Sequence, residues 1–207
     1  MRQPQASTVI RGHGIPLLFL AAALCLVYAH PSFIPPVKAE KAANEKAAIQ
    51  NSAVEILRDN SILPEQVARM RTEMLTAAMS GDVTALRIPV EMNEIPPMLA
   101  NEKVSDPIDY WRKISGDGQG REIMAIIVEL FRAGFVRKAA GASDEMYVWP
   151  YFAEVPLDKL TPAQEVELLT LVTPERLKAM RASGKYDHYQ IGIARDGIWH
   201  FFWNGVH

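Results

Sequence analysis

The chain has 207 residues, 49% of them hydrophobic and 22% charged, the proportions of a soluble globular protein with room for one domain and its own core. Its formal net charge is −2; three of its 22 lysines and arginines (Arg2, Arg11 and Lys38) precede Glu40 and none of its 24 acidic residues does, so the chain from Glu40 onward carries −5. That mild acidity excludes the basic footprint nucleic-acid phosphates require, and no nucleic-acid partner is expected.

Arg2 and Arg11 are followed by an apolar run, Ile15 to Ala29, with no charge in it. The run is short of the roughly twenty residues a membrane-spanning helix needs. A basic start, an apolar run and then small and polar residues make the pattern of a secretory signal peptide. Val37-Lys38-Ala39 is the expected cleavage signal; Val27-Tyr28-Ala29 is a second, with Pro31 crowding it. The alternative is an uncleaved anchor, because Val37-Lys38-Ala39 lies far from the apolar run. The expected location is therefore periplasmic or secreted, or else anchored in the inner membrane with the domain in the periplasm. There is no twin arginine, and Leu24 is too large for a lipoprotein cleavage box at Cys25. Cleavage after Ala39 removes Cys25, the single cysteine. With it go any disulfide, thiolate nucleophile or cysteine-bound metal.

Residues 40–63 are a polar leader, helical over 40–60 with a weak apolar stripe at Ala48, Ile49, Val54 and Leu57. A single domain is expected over 64–207. Pro64 opens a helix to Ser80, with Val67, Met70, Met74, Leu75 and Ala78 on one face. Gly81 ends it and Asp82 caps a short helix to Leu86. Pro89, Pro96, Pro97 and Pro107 keep 88–107 irregular. Asp106-Pro107 starts a helix with Ile108, Trp111 and Ile114 inward. Arg121 to Ala133 is the most apolar helix, expected to be buried on nearly all sides. Phe135–Lys138 and Glu145–Phe152 read as strands, the second demoted to an edge or bulged by Pro150. Thr161-Pro162-Ala163-Gln164 is a capping box, and Thr173-Pro174 opens another helix. Tyr189–Arg195 and Ile198–Asn204 form a closing β-hairpin around a two-residue Asp196-Gly197 turn, placing Ile193 opposite His200 and Gly192 opposite Phe201. The class expected is α+β: a small, mainly antiparallel sheet ending in a C-terminal hairpin and covered by helices.

Several of these stretches carry a resemblance. Ser80-Gly81-Asp82, Glu91-Met92-Asn93-Glu94, Gly116-Asp117-Gly118, Tyr147 to Phe152 and Asp196 to Phe202 resemble a family of exported, functionally uncharacterised proteins of Gram-negative bacteria, over roughly residues 64–207. The Trp-Pro-Tyr-Phe and Trp-His-Phe-Phe stretches are its most specific parts. The resemblance implies export and the domain boundaries, and it implies no activity.

Candidate chemistry is sparse. The loop Ser115–Gly120 leads into a helix at Arg121, where free N–H groups and the guanidinium could hold an anion; the competing reading is a linker and cap. No strand precedes the glycines, as a dinucleotide site would need. His188 lies beside Asp187 at the base of the first hairpin strand, and His200 shares a face with Tyr189, Ile191, Ile193 and Phe202. A carboxylate beside an imidazole tunes it, but each histidine also reads as half-buried at the sheet rim. Trp149 and Tyr151, with Trp199, Phe201 and Trp203, are either an aromatic platform for sugars or peptidoglycan stems or plain core. The methionines read as core filler rather than a copper site. No Ser-His-Asp or HExxH pattern is present, and no metal or cofactor is expected.

These residues point to an exported, non-catalytic binding or interaction protein. Trp149, Tyr151, His188, His200 and Arg121 are its candidate ligand-binding residues. Its partner is an unidentified periplasmic protein or envelope component, with membrane contact only through an uncleaved N-terminal segment. The alternative is a periplasmic cell-envelope hydrolase using His188 or His200 with a carboxylate. An enzyme requires imidazole and carboxylate to converge within about 3 Å in a concave pocket. A binding module requires an exposed apolar patch.

Overall fold

The computed structural model describes residues 54–101 and 103–204. Five antiparallel strands pair in chain order: β1 (Ile56–Leu57), β2 (Phe135–Lys138), β3 (Met146–Trp149), β4 (Gln190–Ala194) and β5 (Trp199–Trp203). Helices α1 (Glu65–Met79), α2 (Arg87–Glu91), α3 (Pro107–Ile114) and α4 (Arg121–Arg132) lie between β1 and β2 in sequence; α5 (Pro162–Leu168) and α6 (Pro174–Ser183) lie between β3 and β4. The class is α+β with an antiparallel sheet and a C-terminal hairpin, as the sequence implied.

Strand alternation divides the apolar residues between two faces. Phe135, Tyr147, Trp149, Ile191, Ile193, Trp199 and Phe202 share one core with buried residues of α1, α3 and α4. Val136 and Val148 point the other way, to a second core closed by Tyr151, Phe152, Leu168, Leu177 and Met180. The cover of this face of the sheet is shared, α3 lying on the hairpin and α4 on β3. Trp111 of α3 stacks on Trp199 with ring centroids 6.0 Å apart, while Phe131 of α4 meets Trp149 edge-on at 5.2 Å. Capping decides the helix starts. Asp106 accepts from Ile108 N (2.7 Å) and Asp109 N (3.1 Å), and both bonds of the Thr161–Gln164 capping box form.

The hairpin departs from the expected one twice, and the departures cancel. Gly197 N donates to Ala194 O and Ala194 N to Ile198 O, both at 2.9 Å, so the loop is Arg195-Asp196-Gly197 rather than two residues. Gly197 is left-handed at φ 90, and a Cβ there would lie 2.9 Å from the Gln66 backbone oxygen, because the turn rests on α1. The longer loop slips the pairing by one, so Ile193 faces Trp199, not His200. His200 then becomes the extra residue of a bulge, and Gly192↔Phe201 and Ile191↔Phe202 regain the expected register. The Phe201 ring lies over bare backbone: a Cβ on Gly192 would sit 2.3 Å from it.

Three other expectations change. At its described end the leader is not a helix: residues 56–57 form the edge strand β1 on β2, and Asn60–Ile62 a 3-10 turn capped by Asp59. The rest of the leader, and the whole apolar run at 15–29, lie outside the described residues. Pro150 does not make β3 an edge. The strand stops at Trp149, occupies the centre of the sheet, and the chain leaves it through a cis Trp149–Pro150 peptide. Helix α4 is not enclosed all round, since Arg121, Glu122, Ala125 and Arg132 open one side of it to solvent. Among the described residues no helix is long and apolar enough to cross a membrane.

Candidate functional site

Trp149 and Tyr151 are fully buried, so their ring faces serve the core and not a ligand. Trp149 packs on Phe135 at 4.9 Å and Phe131 at 5.2 Å. The Tyr151 hydroxyl donates to Glu167 Oε2 (3.0 Å), whose carboxylate also takes both terminal nitrogens of Arg58 (2.8 and 2.6 Å) and Gly134 N (3.1 Å). Burial and that neighbouring carboxylate push the Tyr151 phenol far up. The cluster ties the end of β1 to α5 and is saturated. The aromatic platform therefore gives way to packing.

The anion slot ahead of Arg121 is filled by the chain itself. Asp117 accepts from Ser115 Oγ, from Gln119 N (3.2 Å) and from Arg121 N (3.3 Å), and Glu122 accepts from Gly116 N (2.5 Å). Two carboxylates occupy the positive end of α4, and the Arg121 side chain stands exposed beside them.

The two histidines part company. His200 sits exposed on the β5 bulge, its carbonyl accepting from Met98 N (2.8 Å). His188 is half-buried beneath Tyr186 and Tyr189, with ring contacts at 6.4 and 5.5 Å. Its Nδ1 is sealed from solvent without a hydrogen-bond partner. Burial, aided by the Arg176 guanidinium, pushes the imidazole down to about 4. Asp187 does not orient His188, because its carboxylate bonds Arg176 Nε at 3.0 Å. Glu122 and Glu129 of α4 line the same small cleft as His188, yet neither hydrogen-bonds the ring. Among the described residues neither imidazole is bonded to a carboxylate, and no group of three or more His, Cys, Asp or Glu could hold a metal ion.

Two features escaped the sequence reading. The first is Glu145, only 1% exposed. It accepts from Arg137 (2.7 Å), Gly141 N (2.6 Å), the Tyr147 hydroxyl (2.9 Å) and, at 3.5 Å, Arg195. Its only sequence signal is an acidic residue at a strand start with arginines on the two flanking strand segments.

The second is an apolar surface on the proline-broken stretch before α3. Ile88, Met92, Ile95 and Met98 are 60%, 40%, 78% and 44% exposed, and Ile95 and Met98 border a cleft of about 260 Å³ with Pro96, Leu99 and Val104 in its wall. The stretch is anchored, not loose. The Asn93 carboxamide imitates a strand residue, accepting from Trp199 N (3.0 Å) and donating to Trp199 O (3.3 Å). Met98 N and O then bond His200 O and Phe202 N at 2.8 and 2.9 Å. The outer edge of β5 is thereby covered, and four apolar side chains are held facing outward. The sequence signal was partial: apolar residues among prolines without a sustained period mark an irregular stretch, but Val90 and Leu99 of that stretch are buried and only the structure separates them from the outward set.

No protein-family model, curated protein or solved structure matches the chain. Its site is defined by its own geometry.

Proposed function

We propose that this is an exported, non-catalytic binding protein of the bacterial cell envelope, and that it docks an apolar segment of a partner protein on the Ile88–Val104 surface. The N-terminal pattern of charge, apolar run and small residues supports export, as does the resemblance to an exported family. The carrying observation is the exposed set Ile88, Met92, Ile95 and Met98 on a stretch fixed to β5 at Asn93 and Met98. An apolar surface held in place by a scaffold binds without first being ordered, which is how docking loops gain affinity. Glu91 and Glu94 stand exposed beside Met92 and Ile95 and outnumber the one cation lining the cleft, Lys103, so the complementary segment carries lysine or arginine at its flanks. His200, beside Met98, lies at the edge of this surface.

The test is binding of two labelled peptides with one leucine-rich centre, one flanked by lysines and one by glutamates. The lysine-flanked peptide is expected to bind, more weakly as salt rises. Ile95→Asp should weaken it tenfold or more, about 1.4 kcal/mol. Val166→Asp, at an equally apolar exposed position on α5, should leave it unchanged. Equal binding of both peptides, or an Ile95→Asp form that binds as the parent does, would overturn the docking surface. Fractionation of expressing cells tests export separately.

A further inference from the structure

We infer that the cleft between Pro96 and Val104 is the specificity pocket of the docking surface and takes one aromatic side chain of the partner segment. The inference rests on the docking reading above and names what that surface selects.

The cleft is fixed on both sides before anything enters it. One wall belongs to the stretch that Asn93 and Met98 fasten to β5. The other is Val104 and Pro107. Pro107 is the first residue of α3, whose start Asp106 holds through Ile108 N (2.7 Å) and Asp109 N (3.1 Å). Leu99, only 5% exposed, closes the cleft on the core side. A preformed concave pocket loses little order on binding, so one inserted side chain can carry much of the affinity.

Size sets the occupant at a single side chain. The cleft measures about 260 Å³, and an apolar cavity of about 150 Å³ is enough to hold one benzene ring. A phenyl ring enters with room left, and an indole fills the space better.

Three features separate an aromatic ring from an aliphatic chain of the same bulk. Pro96, Pro97 and Pro107 put three pyrrolidine rings in the walls. Proline rings and aromatic faces are the two halves of a recurring recognition pair, and here the protein supplies the prolines. Met98, 44% exposed at the rim, offers a thioether, which favours the edge of an aromatic ring. Lys103 is the single charged residue lining the cleft and stands exposed. Its ammonium is drawn to a ring face and repels a basic side chain, which keeps the basic flanks of the segment outside, toward Glu91 and Glu94. A carboxylate could meet the ammonium, but the apolar walls would strip its water.

The experiment titrates the full chain with the lysine-flanked leucine peptide and with versions whose central leucine is replaced by tryptophan, phenylalanine, cyclohexylalanine or alanine. Phenylalanine should bind about threefold tighter than cyclohexylalanine, which has its shape and more apolar surface but no π face. Tryptophan should gain about threefold more, and alanine should fall at least tenfold below cyclohexylalanine. Lys103→Met keeps the apolar stem and removes the charge, and should cut the preference for phenylalanine over cyclohexylalanine about twofold. By ring current, the Met98 methyl signal should move upfield with the two aromatic peptides only. Phenylalanine and cyclohexylalanine binding alike, with the leucine peptide still bound, would discard the aromatic pocket and leave the docking surface standing. A motionless Met98 signal beside tight phenylalanine binding would place the ring elsewhere and discard the pocket equally. No binding by any member, the leucine peptide included, would discard pocket and surface together.

Discussion

Glu145 and His188 are both half of a polar–apolar bargain at opposite ends of the sheet, and both titrate below their ordinary range for contrary reasons. Glu145 is pulled down to about 2 because Arg137, then Gly141 N and Tyr147, hydrogen-bond its charged form, outweighing burial. His188 is pushed down to about 4 because burial and Arg176 disfavour its charged form. One charge is enclosed and satisfied, the other avoided. Burial of an ionisable group is thus no mark of function in itself; what differs between the two is whether the charged form finds hydrogen-bond partners. Glu145 leaves no oxygen unpartnered, whereas His188 leaves Nδ1 without a bond.

The strongest way to break the comparison is Glu145→Ala. It strips the acceptor from Gly141 N and the Tyr147 hydroxyl and leaves Arg137 without its anion. Losing one partner of a buried pair costs 3–5 kcal/mol; because both arginines are partly exposed and can rehydrate, about 3 kcal/mol is expected here. Urea unfolding should show a lower midpoint with an unchanged slope. A loss under about 1 kcal/mol would make Glu145 no knot at all.

Acidification sharpens the contrast next. The folded His188 refuses a proton that the unfolded chain accepts at its ordinary 6.5. Its stability contribution is therefore complete above pH 6.5 and is lost as pH falls toward 4. Discounted for the part of the ring that water reaches, the loss is on the order of 2 kcal/mol. Glu145 acts lower. Its contribution is complete above its ordinary 4.5 and is lost between there and about 2. Unfolding midpoints at pH 7, 5.5 and 4 should fall in the parent chain and stay nearly level in His188→Leu. Parallel curves for the two would assign the upper step elsewhere.

The two regions also differ in how far the sequence disclosed them. Helix caps at Asp106 and Thr161 were legible because each is settled within four residues. So was the hairpin, whose pattern of Ile191, Ile193 and Phe202 demanded one covered face. Its loop was not. Asp196-Gly197 alone favours a two-residue turn, but the contact of Gly197 with Gln66 is made between segments about 130 residues apart, and tertiary packing overrode local preference. The bulge at His200 accompanies the longer loop, and the histidine expected half-buried at the sheet rim stands exposed. Pro150 misled by position: it read as a flaw inside a strand and instead marks the end of the central one. Of the candidate ligand-binding residues, Trp149 and Tyr151 lie buried in the core, an outcome their aromatic character left open beside the platform reading. The cleft at His188 needed Glu122 and Glu129 from a helix some sixty residues upstream, a convergence no spacing could reveal. Arg121 was legible as a helix start, but not the two carboxylates that fill the slot.

The smallest expected effect lies within the Glu145 knot. Arg195 reaches the carboxylate only at 3.5 Å and is 62% exposed, against 2.7 Å for Arg137. A long, solvated pair contributes little once side-chain ordering and screening are counted. Arg195→Met should therefore change stability by no more than about 0.5 kcal/mol, whereas Arg137→Met should cost about 1–2 kcal/mol by removing a charge-assisted bond to a buried anion. The link from the hairpin to β3 does not depend on the Arg195 guanidinium. Arg195 N donates to Glu145 O at 3.0 Å, and a methionine keeps that amide. If Arg195→Met proved the costlier of the two, the knot would be held by the hairpin loop rather than by β2, and the three-residue turn resting on Gln66 would become its foundation.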